Sequence, residues 1–479
     1  MSYELNYRGA RRRGRRSLAG LALVVLLACA GCFVERSHPL QEGDLVRLDP
    51  PPMDSSDGLT ARPWLRSAHS RLAPLLPHST PAALLTEDLL DEAGRPVDVL
   101  AHFGRKKSNL ESIFGNWNGL AHTAQLSGTD SPRDPGPPSW PGFEEVWIPV
   151  TPSLSLFGLL GWSRDDAGQV RDSDCIVILS GILGHNRTMR TRDLAMALRD
   201  SGLHAMALEL RGHGQTDRRY PDVYYNFGAL ETDDLVAVSR WLQSQPHVRR
   251  TGLVGFCWGA NQALLCAWYD GRPPNDPSIT PRLAEHLREA SAQGHFQAGV
   301  IAFSPVLRFE EIIEAVKVHR PGLMYPVLAT LQSTIETRLR FKGHDRHPDY
   351  DPTKYPGSLR KLIDYEYARS ELNYPGSVED GLQFLRFLPF QGLPDGNKLA
   401  SARCPVLIVQ GSNDPLACAQ DVADLIARTP NPNVAAIVLR GGGHVGFAAY
   451  ARSYYYSLVI NFFDAATSPK PSTPASAGR

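Results

Sequence analysis

Apolar runs recur through the second two-thirds of the chain, and most are continuous rather than alternating. Residues 175–179 (Cys-Ile-Val-Ile-Leu), 205–210, 252–254, 298–303, 405–410 and 433–439 have this form. A strand that is apolar at every position is covered on both faces, as in a parallel sheet sandwiched between helices. Residues 143–150 and 154–162, separated by Thr151-Pro152-Ser153, read as a pair of strands that opens the sheet. Residues 230–243 carry apolar side chains at helical spacing and 454–463 form a closing helix. Strands alternating with helices predict an α/β fold with a mostly parallel central sheet.

The pattern fails at both ends. Arginines crowd positions 8–16 and an apolar run follows at 18–30, too short to span a bilayer comfortably. That is the form of a secretory signal peptide. It closes on Leu26-Leu27-Ala28-Cys29-Ala30-Gly31-Cys32, which resembles a bacterial lipoprotein signal, with small residues before a cysteine that is lipidated after cleavage. Cys32 is the better candidate and Cys29 the alternative. The division expected is a lipoprotein-type signal at 1–32, a Pro-rich tether and loosely organised arm at 33–140, a main domain at 141–465, and a disordered tail at 466–479. Within the arm, 82–93 and 108–118 read as short helices. Residues 306–402 break the strand pattern with helical, aromatic and basic stretches, and read as a cap inserted into the sheet.

Charge narrows the partners. Lys plus Arg and Asp plus Glu number 50 each in 479 residues, so nothing favours nucleic acid or an acidic polymer by bulk electrostatics. Apart from Cys29 and Cys32 in the leader, the seven cysteines show no C-x-x-C spacing, which argues against a zinc site and a disulfide scaffold. The cluster His344-Asp345-Arg346-His347 matches no metal-ligand template, so no metal and no cofactor is expected.

The chemistry gathers at three strand ends. Gly255-Phe256-Cys257-Trp258-Gly259 lies between the run at 252–254 and the helix-forming 260–265. Glycines on either side of a strand-to-helix turn permit a strained, exposed residue between them, and a thiol there is a strong nucleophile once a histidine takes its proton. Asp414 follows the strand at 405–410, where it suits either a helix cap or the acid that fixes a histidine tautomer. His444, on a glycine loop after the last strand, suits a general base. Cys257, Asp414 and His444 come in the order nucleophile, acid, histidine. Glu231, Asp233 and Asp234 read as a solvated face and N-terminal turn of the helix at 230–243, His213 as structural, and His185 as a surface or loop-bracing residue.

Taken together, these motifs resemble the YheT-like branch of the α/β-hydrolase superfamily over roughly residues 143–463. The resemblance rests on Gly442-Gly443-His444-Val445-Gly446-Phe447, on Asn413-Asp414-Pro415, on Ala260-Asn261 after the elbow and on the stretch 225–235. It implies a metal-free hydrolase of esters or lipid-like substrates, with Cys257 in the serine position. It also implies an oxyanion hole from the backbone N–H groups of Ile182 and Trp258. Ser180 stands where the family has histidine. G-x-C-x-G elbows also resemble dienelactone hydrolases and polyhydroxyalkanoate synthases. The expectation is a Cys-His-Asp hydrolase of esters or thioesters in the bacterial envelope, membrane-bound through its lipid anchor. An acyltransferase on the same residues, or an inactive binding lipoprotein, is the alternative.

Overall fold

The computed structural model describes residues 40–49, 60–104, 140–309, 366–370, 385–389 and 398–467, except for 42, 78–80, 183, 187, 225, 274, 277–278, 280–293, 367–368 and 415. The leader, residues 108–118, the His344 cluster and most of the expected cap lie outside these residues. Nine strands form one sheet: β1 (Ala83–Leu85), β2 (Phe143–Thr151), β3 (Leu154–Gly161), β4 (Ser173–Leu179), β5 (His204–Glu209), β6 (Val248–Phe256), β7 (Gly299–Phe303), β8 (Val406–Gly411) and β9 (Val434–Leu439). Their spatial order is β1-β9-β8-β7-β6-β4-β5-β3-β2. From β5 to β9 the pairing is parallel, while β2, β3 and β1 join antiparallel at the edges.

The continuous apolar runs are explained by the two cores. In β4, Cys175, Val177 and Leu179 enter one core and Ile176 and Ile178 the other, because successive side chains point to opposite faces. Six principal helices complete the layers: α1 (Ala61–Leu72), α2 (Met189–Asp200), α3 (Ala229–Gln243), α4 (Trp258–Gly271), α5 (Ala419–Ala427) and α6 (Arg452–Thr467). Helices α3, α4 and α5 supply the first core and α1, α2 and α6 the second. Each fully buried Val, Ile or Leu contributes roughly 1.5–3 kcal/mol, so a sheet covered on both sides is a rigid base for whatever sits at its strand ends.

Expectations for the N-terminal arm and for the acids of α3 need correction. Residues 82–93 do not form a helix. Ala83–Leu85 instead pairs with Leu439, Val438 and Ile437 of β9, and turns follow. The β9 edge offers open backbone donors and acceptors, and burial of Leu84 and Leu89 at the same edge outweighs the weak local helix preference. Nor is the described part of the arm loose, since α1 docks Trp64 edge-on against Phe462 at 5.2 Å and Arg62 donates to the carbonyls of Val434 (2.9 Å) and Thr429 (2.6 Å). The sheet therefore draws on residues before 141.

The second correction concerns the acids of α3. Glu231 and Asp234 are buried rather than solvated. The Glu231 carboxylate accepts the backbone N–H groups of Asn226 and Gly228, both at 2.7 Å, and so caps the helix. Asp234 receives Arg211 Nε at 2.7 Å and Nη2 at 2.8 Å, a bidentate pair beneath the turn at 211–214. His213 is structural as expected, with Nδ1 donating to the Arg211 carbonyl at 2.7 Å.

Candidate active site

Four loops meet at the C-terminal ends of the parallel strands, where open α/β sheets place their ligands. Cys257 occupies the turn between β6 and α4 at φ 54°, ψ −115°. A non-glycine residue here is strained and is held by what surrounds it. A Cβ on Gly255 would lie 2.1 Å from the Gly259 carbonyl oxygen, and one on Gly259 would lie 2.5 Å from the carbonyl oxygens of Leu179 and Ser180. Both glycines are required by space, whatever their torsions. The Cys257 N–H donates to the Phe303 carbonyl at 2.9 Å, and the residue stays partly exposed beside a fully buried helix.

Asp414 lies just past β8 and His444 just past β9. His444 Nδ1 donates to Asp414, at 3.0 Å to Oδ2 and 3.1 Å to Oδ1. The carboxylate also accepts the N–H groups of Leu416 (2.8 Å) and Ala417 (2.9 Å) and Gln410 Nε2 (2.9 Å). The Asp414 carboxylate thus closes the turn before α5 and at the same time meets the His444 ring. Asn413 Oδ1 accepts the Gly443 N–H at 2.8 Å, pinning the loop on the N-terminal side of His444.

The electrostatics follow from this placement. Burial would raise the Cys257 thiol pKa, but the His444 charge, a hydrogen bond with that ring and the Trp258 N–H together bring it below its ordinary value. Burial likewise works against a charged His444, yet Asp414 and Cys257 push its pKa up to about 10. For Asp414 burial is outweighed by His444 and the two backbone N–H groups, so its pKa is lowered. The Cys257 and His444 shifts both run in the direction of a thiolate–imidazolium pair, whereas Cys175, Cys266 and Cys404 are buried thiols whose pKa is raised. Alkylation of Cys257 by iodoacetamide should therefore rise with pH through a midpoint below the ordinary thiol range. In His444→Ala only the Trp258 N–H still works against burial, and the midpoint rises. Alkylation rates followed from about pH 5 to 11 check this, and equal midpoints in the two proteins would dismiss the pair.

Of the two expected oxyanion donors, Trp258 follows the thiol directly in the chain and Ile182 follows Gly181, which approaches Cys257. The Trp258 backbone N–H already reaches the sulfur. After β4, Gly184 N–H closes a turn onto the Gly181 carbonyl at 2.8 Å. A Cβ on Gly181 would stand 3.1 Å from Cys257 Cβ, so Ile182 follows one residue beyond that contact. Ser180, in the place of the family histidine, contacts the Thr191 hydroxyl at 3.3 Å and ties the loop to α2. His185 braces the same loop, its carbonyl accepting the Thr188 hydroxyl at 3.3 Å. The Trp258 ring packs against Phe309 at 4.4 Å and Phe227 at 5.7 Å. No group of His, Cys, Asp and Glu able to hold a metal ion occurs among the described residues.

Sequence reasoning missed Gln410 and Asn413 as supports of Asp414 and the histidine loop. Asn413 was within reach as the neighbour of the acid, but Gln410 reads only as the polar end of a strand. Asn261, noted as a family mark, acquires a physical reason: its amide bridges both the N–H and the carbonyl of Val306 at 2.7 Å, fixing the chain as it leaves β7.

The sequence model of the Alpha/beta hydrolase family matches residues 176–452, more than half of the chain and all of the strand ends just described. The chain belongs to the alpha/beta hydrolase family. No curated protein sequence matches it. Among solved structures, the Pyrococcus furiosus esterase Pf2001 is similar at 17% identity and a TM-score of 0.41, over 69% of this chain and 98% of that one. The 2,6-dihydroxy-pseudo-oxynicotine hydrolase is similar at 12% identity and a TM-score of 0.44, over 85% of this chain and 87% of that one. Est1E from Butyrivibrio proteoclasticus matches at 13% identity and a TM-score of 0.37, over 67% and 97%. No helix among the described residues of this alpha/beta hydrolase is long and apolar enough to cross a membrane.

Proposed function

We propose that this alpha/beta hydrolase cleaves carboxylic esters or thioesters, including lipid-like ones, through a Cys257-His444-Asp414 triad and an acyl-enzyme. The observation that carries the reading is the strained Cys257, held at a positive φ and paired with a histidine that Asp414 orients. The Cys257 thiolate attacks the substrate carbonyl carbon, and the N–H groups of Trp258 and Ile182 receive the oxyanion. As the intermediate collapses the C–O bond to the leaving group breaks, and His444 Nε2 gives that oxygen its proton. Water then attacks the thioester, His444 takes a proton from it, and the acid departs with the thiol pair restored.

The YheT-like character, the lipid anchor on Cys32 and the envelope location belong to the same reading, supported by the motifs quoted above. An envelope hydrolase held by lipid at its N-terminus would work close to a membrane, which suits esters of lipid character. Mixing the purified chain with nitrophenyl esters of increasing acyl length, quenching and weighing the Cys257 peptide should reveal the acyl adduct, while free acid accumulates with time. With an added alcohol, new ester in place of acid would make the protein an acyltransferase. No adduct, together with Cys257 alkylation no faster than that of an ordinary thiol, would sink the enzyme reading and leave a binding lipoprotein.

A further inference from the structure

Beyond the three residues of the triad, one buried side chain, next in sequence to the carbonyl that holds the nucleophile turn, reaches the histidine loop. Ser304 follows the last residue of β7, is fully buried, and adopts φ 50°. Left-handed backbone is costly for any residue with a Cβ. Its hydroxyl oxygen accepts the N–H of Val445, the residue after His444, at 3.1 Å. Val445 is itself at φ 60°, a conformation rarer still for a β-branched side chain. Strain of this kind persists only where the surroundings over-determine it.

The backbone on either side of Ser304 is fastened too. Its N–H donates to the Val409 carbonyl of β8 at 2.9 Å, and the Phe303 carbonyl before it accepts the Cys257 N–H at 2.9 Å. Two consecutive residues thereby hold the nucleophile turn, the strand that leads to Asp414 and the loop that carries His444. On the other side of His444, Asn413 grips Gly443. The histidine peptide is clamped at both neighbours, and only the Ser304 end of the clamp is shared with Cys257.

We propose that Ser304 is a positioning residue that fixes the His444 ring against the Cys257 sulfur, so that nucleophile and base keep a common register. This rests on the proposed roles of Cys257 and His444. Without the hydroxyl, the Val445 N–H loses its partner in a buried place, and the strained Val445 relaxes into a commoner conformation. The His444 ring shifts with it. A displacement of about 1 Å between reacting groups costs on the order of a hundredfold in rate.

The test compares the full chain, wild type, with Ser304→Ala, which keeps the Cβ and removes the oxygen, and Ser304→Gly, which also removes the left-handed strain. Iodoacetamide alkylation of Cys257 is titrated against pH, and kcat and KM are measured on a nitrophenyl ester. In both variants the thiol midpoint should rise toward that of His444→Ala, and kcat should fall roughly ten- to a hundredfold with KM nearly unchanged. Melting curves identify which variants fold, and either one that folds suffices. A folded variant that keeps the wild-type midpoint and kcat overturns the proposal, as does a kcat that falls while the midpoint stays. Failure of the underlying reading looks different: the midpoint of the wild type would then match that of His444→Ala before Ser304 is touched.

Discussion

Replacing Cys257 by alanine should lower kcat on activated esters by on the order of 10⁴-fold or more, with little change in KM. The methyl group leaves no atom to accept the acyl carbon, while the N–H groups around the thiol and the sheet beneath it are untouched. Cys257→Ser is the more informative partner. A hydroxyl does not ionise beside His444 as the thiol does, so the resting ion pair disappears and the histidine has to remove the proton during attack. Its pKa should accordingly drop from about 10, because the negative sulfur that helped raise it is gone. Activity of the serine variant should lie between wild type and alanine, with an acid limb governed by the histidine. Stopped assays of all three proteins across pH decide this. Wild-type turnover in the alanine variant would remove Cys257 from the chemistry.

Gly255→Ala should destabilise the fold by more than about 4 kcal/mol, beyond the usual range for one substitution. The added methyl would meet the Gly259 oxygen at 2.1 Å, the Gly259 carbonyl carbon at 2.4 Å and Ala260 Cα at 2.6 Å. All three are backbone atoms of the first turn of α4, which cannot swing aside as a side chain can. Relief requires α4 to move away from β6, opening the most buried helix of the first core. Gly168→Ala is the control, because a Cβ there meets nothing within 4 Å while φ is 78°. It should cost only the left-handed strain, about 1–2 kcal/mol. Urea unfolding of the two variants separates backbone torsion from lack of space. Gly255 has no left-handed torsion of its own, so equal costs would mean that α4 yields to the methyl and that space does not demand a glycine there.

The sheet was legible because fully buried parallel strands leave an unambiguous trace, and each of the apolar runs at 175–179, 205–210, 298–303, 405–410 and 433–439 corresponds to an observed strand. The elbow was legible for a related reason: two glycines bracketing one reactive residue is a pattern that sterics impose locally. What escaped depends on distant partners. Ala83–Leu85 is a strand only because β9 presents an open edge, and nothing within 82–93 announces it. Glu231 and Asp234 look like ordinary surface acids until the N–H groups of Asn226 and Gly228 and the Arg211 guanidinium are seen to meet them. Ser304 reads as a serine before a proline. Its importance arises from a contact 141 positions along the chain.

Strand β1 has a consequence for how this protein can be handled. It covers the outer side of β9, and the Arg440 N–H that follows β9 donates to the Ala82 carbonyl at 2.9 Å. A recombinant fragment that begins at β2 would leave Ile437–Leu439 of β9 without their partner strand, ready to recruit the same edge from another molecule. Insolubility of such a fragment would reflect the missing edge and say nothing about the chemistry. The upstream segment closes that edge in the folded chain, and soluble fragments should begin ahead of α1.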